Sequence, residues 1–273
     1  MSDLRPAWSE TFFDGGLGAA PHLDLPGTVT REWAYGDASG RGVRVAVVDS
    51  GIEADHPLVS GVAAAVDVRV SDGDRRDMSL VDGPHDDLYG HGTACAGLIR
   101  ALAPDVELIS VRVLGANLRG GADSFAAAMS WCIDQRVDVV NLSLSTNNDD
   151  HLDTFWDLVD RASFARVLLV AAMNNERKRT IPSELSGVCS VACGPGQDLE
   201  NVWCNPDGPA EWGAAGIDVE VAWKGGGRVV ASGNSFSAAV VSGHLARIVG
   251  AHPGITPWQA RTVLAAVAVN ART

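Results

Sequence analysis

An α/β fold built on a mostly parallel sheet is what this sequence predicts, and three observations carry that expectation. Val43-Arg44-Val45-Ala46-Val47-Val48 is a nearly continuous apolar run, the pattern of a strand covered on both faces. Short strand-like runs then interleave regularly with longer stretches of helical character, which implies βαβ crossovers. The chain has 273 residues, 46% hydrophobic and 20% charged, enough for one large domain with a well-buried core.

The elements follow in order. Residues 1–40 are interrupted by Gly and Pro and only weakly periodic, so they read as an N-terminal arm with room for a short helix at Thr30-Arg31-Glu32-Trp33-Ala34. Residues 41–273 read as the folded domain, with 43–48 as its first strand. Residues 93–102 form a helix that ends before Ala103-Pro104, since the residue ahead of a proline is pushed out of helical geometry. Residues 106–113 alternate and form a strand, 124–135 a helix and 137–142 a strand. A helix at 152–163 and strands at 167–172 and 188–193 continue the alternation. A long helix of small residues at 235–249 and a final helix at 257–269 close the chain. No repeat, low-complexity tract or linker divides it.

Composition narrows the function. The net charge of −13 argues against nucleic acid or an anionic membrane as partner, because both repel a polyanion. It suits a soluble surface and, through steering, basic peptides. No apolar stretch approaches a membrane span. Met1-Ser2-Asp3-Leu4-Arg5-Pro6 lacks the basic-then-apolar pattern of a signal peptide. Five cysteines cannot all pair within the chain, which points to reduced thiols and a cytoplasmic location. Cys189, Cys193 and Cys204 can be read as metal ligands, but without a fourth Cys or a nearby His they predict neither a metal nor a cofactor.

Three distant segments carry chemistry. Asp49 follows the apolar run, at the carboxyl end of a strand, where open α/β sheets place their sites. His91 lies between Gly90 and Gly92 at the start of a small-residue helix. Ser235 opens an alanine-rich helix after Gly233-Asn234, where unpaired N–H groups and the helix dipole favour negative charge. Taken singly, each has an ordinary explanation: a turn-capping Asp, a surface His, an N-cap Ser. An Asp, a His and a Ser in that order and context are more specific, because such a relay makes a hydroxyl nucleophilic.

These segments match the patterns D-S/T-G, H-G-T and G-T-S-M-A, the last as Gly233-Asn234-Ser235-Phe236-Ser237, and the chain resembles the subtilisin-like serine peptidases. Asp138-Val139-Val140-Asn141-Leu142-Ser143-Leu144 and Val170-Ala171-Ala172-Met173-Asn174-Asn175-Glu176 look like further segments of that family, and the resemblance runs from about residue 33 to 269. It implies a three-layer α/β/α fold with Asp49, His91 and Ser235 as the triad. It also implies Asn175 as oxyanion donor, with Asn174 as the alternative. The substrate would be an extended peptide or precursor protein lying as a strand between Leu118-Arg119-Gly120 and Ser143-Leu144-Ser145. Phe125 and Leu144 would line an upstream subsite, left open by Ala122.

Departures from the family carry expectations too. His91 to Pro104 is too short to hold the loop that wraps a tight calcium ion in many relatives, and Leu58 stands where they have an Asp ligand, so that calcium site is expected to be missing. The acidic stretches 82–87 and 147–150 could still bind a weak cation, with a solvated loop as the favoured reading. Cys95, under the histidine helix, reads as an inert thiol open to mercurials. No folding prodomain is expected, and Leu23-Asp24-Leu25-Pro26 is a candidate to lie across the cleft. The function that follows is a cytoplasmic, calcium-independent serine endopeptidase with a restricted substrate. A peptide transamidase or a non-catalytic peptide-binding relative is the alternative.

Overall fold

The computed structural model describes residues 23–271 except 72–73. Residues 1–22, most of the expected arm, lie outside the described residues. Along the chain, α1 (Arg31–Tyr35) precedes β1 (Arg44–Asp49). A hairpin of β2 (Ala64–Ser71) and β3 (Asp74–Asp82) follows, then α2 (His91–Leu102), β4 (Glu107–Arg112), α3 (Ala122–Asp134) and β5 (Val139–Leu142). Next come α4 (Leu152–Ala165), β6 (Leu168–Ala172) and β7 (Cys189–Cys193). Two short hairpins, β8 (Val202–Cys204) with β9 (Trp212–Ala214) and β10 (Val219–Trp223) with β11 (Gly227–Ala231), lead to α5 (Asn234–Ala251) and α6 (Pro257–Ala266).

Nine strands among the described residues form one sheet in the order β3-β2-β4-β1-β5-β6-β7-β9-β8. Its interior pairings are parallel, and antiparallel pairs occur only at the two edges, β2 with β3 and β8 with β9. β1 shows why the fold is three-layered. Val45 and Val47 point into a core shared with Ile99 of α2 and Leu245 of α5, whereas Ala46 and Val48 meet Met129 of α3 and Phe155 of α4. A central strand must therefore be apolar at every position, which removes the alternation of a half-exposed strand. The central helix α5 is buried on nearly all sides from Ser235 to Ala246, consistent with its lack of a polar face.

Parallel register sets up the site. Val48 pairs with Leu142, and Leu142 with Ala171, so Asp49, Ser143 and the 173–175 segment emerge side by side at the carboxyl ends of the central strands. The N-termini of α2 and α5 meet there, His91 touching both Asp49 and Ser235. At the opposite end of α2, Arg100 turns back on the chain. Its guanidinium donates to the carbonyls of Val59 (2.8 Å), Gly61 (3.1 Å), Pro104 (2.7 Å) and Val106 (2.8 Å). The helix itself runs unbroken from His91 to Leu102. In the described part of the arm, Leu23 packs against the α5-side core and residues 23–26 do not line the cleft, so the expectation that they cross it is not met.

Candidate active site

Asp49 is fully buried at the end of β1. A buried carboxylate needs partners, and it has them: the Ser50 N–H donates to Oδ1 at 2.7 Å, and His91 Nδ1 lies 2.9 Å from both carboxylate oxygens. His91 Nε2 lies 2.8 Å from Ser235 Oγ. The three residues, 42 and 144 positions apart, thus form one continuous hydrogen-bonded relay. Phe236 packs on the imidazole, with ring centroids 5.5 Å apart. Burial, the largest single influence on His91, opposes its protonation. The charge and hydrogen bond of Asp49, with Asp87 adding, outweigh that and raise its pKa above the ordinary value.

The glycines flanking His91 answer to sterics. A Cβ on Gly92 would meet the Gly51 carbonyl oxygen at 2.0 Å, so only Gly lets α2 start against the Asp49 turn. Gly90 has φ of 120° and the face of Trp223 against it.

Asp87 is the functional residue that sequence reasoning placed wrongly. Instead of lying in a solvated acidic loop, it is buried and gathers five donors. Oδ1 accepts from Ser50 Oγ (2.7 Å), Tyr89 N–H (2.9 Å) and Gly90 N–H (2.7 Å). Oδ2 accepts from the N–H and hydroxyl of Thr93. Ser50 Oγ in turn accepts the Gly92 N–H at 3.2 Å. One carboxylate thus caps α2 and ties both neighbours of His91 to the turn after Asp49. Its position four residues ahead of a His at a helix start was the available signal.

Ser235 is the second residue of α5, so its N–H falls in the first turn and lacks an intrahelical acceptor. Beside it, Asn175 Oδ1 accepts the Asn234 N–H at 3.0 Å, which leaves the Asn175 amide N–H groups free to donate into the cleft. Asn174 Oδ1 likewise accepts a backbone N–H, that of Glu176 in a local turn, whereas the Asn175 amide is tied to Asn234, the residue immediately before Ser235. Both asparagines line the cleft beside Ser235.

A cavity of about 270 Å³ opens from the relay and is lined by His91, Leu118, Ser143, Leu144, Ser145, Asn174, Asn175 and Ser235. Ser145 is thus among the residues that line the cleft. Arg119 and Gly120 line a neighbouring cavity of about 490 Å³ with Ala122 and His151. Phe125 lines neither. It is 2% exposed and packs on Phe155 at 4.9 Å in the core, so its assignment to a subsite is corrected: the period of α3 turns it toward the sheet.

All five cysteines are free thiols. Cys95 lies beneath the relay, 3.3 Å from Ser143 Oγ, and burial, reinforced by the Asp49 charge, pushes its pKa well up. Asp49, His91 and Cys95 are also the grouping of potential metal ligands among the described residues. Two of the three are already bound to each other.

Residues 40–272 match the profile of the subtilase family. The chain is similar to the thermostable alkaline protease of Halalkalibacterium halodurans, with 34% identity over 81% of this chain and 61% of that protein. It is also similar to subtilisin-like protease 4 of Trichophyton rubrum, with 27% identity over 90% and 59%. The chain thus spans about three fifths of the length of these relatives. Among solved structures it resembles a cold-adapted subtilisin-like serine proteinase (TM-score 0.65, 24% identity, 84% of this chain and 82% of that one). It resembles sphericase as well (TM-score 0.68, 23% identity, 88% and 85%).

Proposed function

The chain belongs to the subtilase family, and from that premise we propose that it is a serine endopeptidase. The observation that carries the reading is the unbroken relay from Asp49 through His91 to Ser235, opening on a cleft where Asn175 has N–H groups to spare. Ser235 Oγ attacks the scissile carbonyl while His91 Nε2 takes its proton. Asp49 holds the imidazole so that Nε2 faces the hydroxyl, and it stabilises the imidazolium. The oxyanion receives the Ser235 N–H and the Asn175 amide, groups already in place before charge develops. His91 then returns the proton to the leaving amine, and water releases the acyl-enzyme by the same steps in reverse order.

The substrate in this reading is an extended peptide or precursor protein, held along Leu118-Arg119-Gly120 and Ser143-Leu144-Ser145 and cut at a restricted set of sites. A cytoplasmic setting is part of the proposal, supported by five unpaired thiols. Incubating the full chain with a proteome-derived peptide library and sequencing the new termini by mass spectrometry tests it. Endoproteolysis predicts new termini sharing a sequence preference, all absent with Ser235→Ala. Spliced or cyclic products would establish transamidation instead. No Ser235-dependent product would sink the enzymatic reading in favour of a peptide-binding relative.

A further inference from the structure

We propose that Asn234 is a positioning residue that aims the Asn175 oxyanion donor, an inference that rests on the serine endopeptidase reading. Asn234 is the first residue of α5 and immediately precedes Ser235. Its side chain spans the ends of two strands. Oδ1 accepts the N–H of Cys193, the last residue of β7, at 2.9 Å. Nδ2 donates to the carbonyls of Met173 (3.1 Å) and Asn174 (3.2 Å), just past the end of β6. The amide thereby uses its acceptor and both of its N–H groups.

The backbone of the same residue completes the arrangement. The Asn234 N–H donates to Asn175 Oδ1 at 3.0 Å. Asn175 is exposed, and among the described residues this is the one hydrogen bond its side chain makes. Its orientation therefore depends on where the 173–174 backbone lies relative to the start of α5. The Asn234 side chain fixes that relation, and the Asn234 N–H then turns Oδ1 inward and Nδ2 toward the cleft. The subtilase pattern quoted above has Thr at this position. A single hydroxyl cannot satisfy one N–H and two carbonyls at once, so here the loop is held by a device specific to Asn. Placement to within about an ångström matters because a misplaced donor no longer meets the oxyanion; errors of that size cost roughly a hundredfold in rate.

The test is a double-mutant cycle read by the second-order rate of Ser235 labelling with a fluorophosphonate, whose phosphoryl oxygen occupies the oxyanion position. Asn234→Ala is expected to slow labelling about 10- to 100-fold, and Asn175→Ala by about 100-fold or more. If Asn234 acts through Asn175, the double variant labels within about threefold of Asn175→Ala alone. Multiplicative losses would show that Asn234 acts independently and would overturn the proposal, as would an Asn234→Ala variant that labels at the wild-type rate. Should Asn234→Ala not fold, Asn234→Asp keeps the Cys193 bond and lacks both donors, and it is subject to the same comparison. Unslowed labelling in Asn175→Ala would also overturn the proposal while leaving the endopeptidase reading intact. Wild-type protein that never labels would instead sink that reading.

Discussion

Arg100→Ala removes a cation that four backbone carbonyls surround. The bonds to Val59, Gly61 and Val106 are partly buried, whereas that to Pro104 is exposed and contributes little. A hydrogen bond from a charged donor contributes about 1.5–3 kcal/mol. Water can reach this half-buried site, so about 1 kcal/mol for each of the three is the fair figure, or about 3 kcal/mol in all. For a domain of this size each kcal/mol moves the melting temperature by roughly 2–4 °C, and the variant is expected to melt about 6–12 °C below the wild type. Arg100→Lys should recover less than half of that, because an ammonium lacks the fork that reaches carbonyls on both sides. Calorimetric scans of the three proteins, each with chelator and with added calcium, make the measurement. Because the helix runs unbroken from His91 to Leu102, with no loop there to wrap a calcium ion, neither addition should move the wild-type midpoint by more than about 1 °C. A melting point for Arg100→Ala within 2 °C of wild type would refute the reasoning, and so would a large loss of wild-type stability on chelation.

Three further outcomes follow from the geometry. Peptidase activity requires neutral His91, whose pKa is raised by Asp49 against the opposing effect of burial, so the acid limb of the rate profile should lie above pH 6.5; in Asp49→Asn the limb should move to lower pH while the rate falls by orders of magnitude, and an unmoved limb would contradict the assignment. Asp87→Asn turns an amide N–H toward the Thr93 donors and should cost about 2–3 kcal/mol in denaturant titrations with a marked loss of activity; a neutral result would mean the cap is dispensable. His244 is buried with Nε2 on the Leu199 carbonyl, and burial lowers its pKa to about 4, so stability present above pH 6.5 should be lost by roughly 3 kcal/mol as the pH falls toward 4. Urea unfolding across that range should show a shallower dependence in His244→Asn, and an equal slope in both proteins would rule the residue out.

How much of this was legible in the sequence depends on where each residue's environment comes from. β1, β5 and β6 are covered on both faces, so their apolar runs announce them without reference to anything distant. The triad was legible because each member sits beside its own punctuation: a strand end for Asp49, paired glycines for His91, a helix start for Ser235. The β2–β3 hairpin was missed although Val66-Asp67-Val68-Arg69-Val70 alternates, because its charges look like loop. In the structure Asp67 is held by Arg112 of β4 at 2.8 and 2.7 Å, which, despite partial burial, lowers its pKa to about 2. That partner lies 45 residues away and no local pattern reports it. The strands β8 and β9 are three residues each, too short for a period to register. Phe125 was assigned to the cleft by the family resemblance, and only the phase of α3 against the sheet sends it to the core. Asp87 and Asn234 share one cause: their importance lies in hydrogen bonds to backbone groups, and a sequence does not display backbone direction.

The most direct test of the account is covalent. Freshly purified full-length chain is treated with a fluorophosphonate and the adduct is mapped by mass spectrometry. The relay predicts stoichiometric modification confined to Ser235 Oγ, abolished in Ser235→Ala and strongly slowed in His91→Ala. A folded protein that remains unmodified, or that is modified at another serine, would contradict the claim that Asp49, His91 and Ser235 form a working nucleophile.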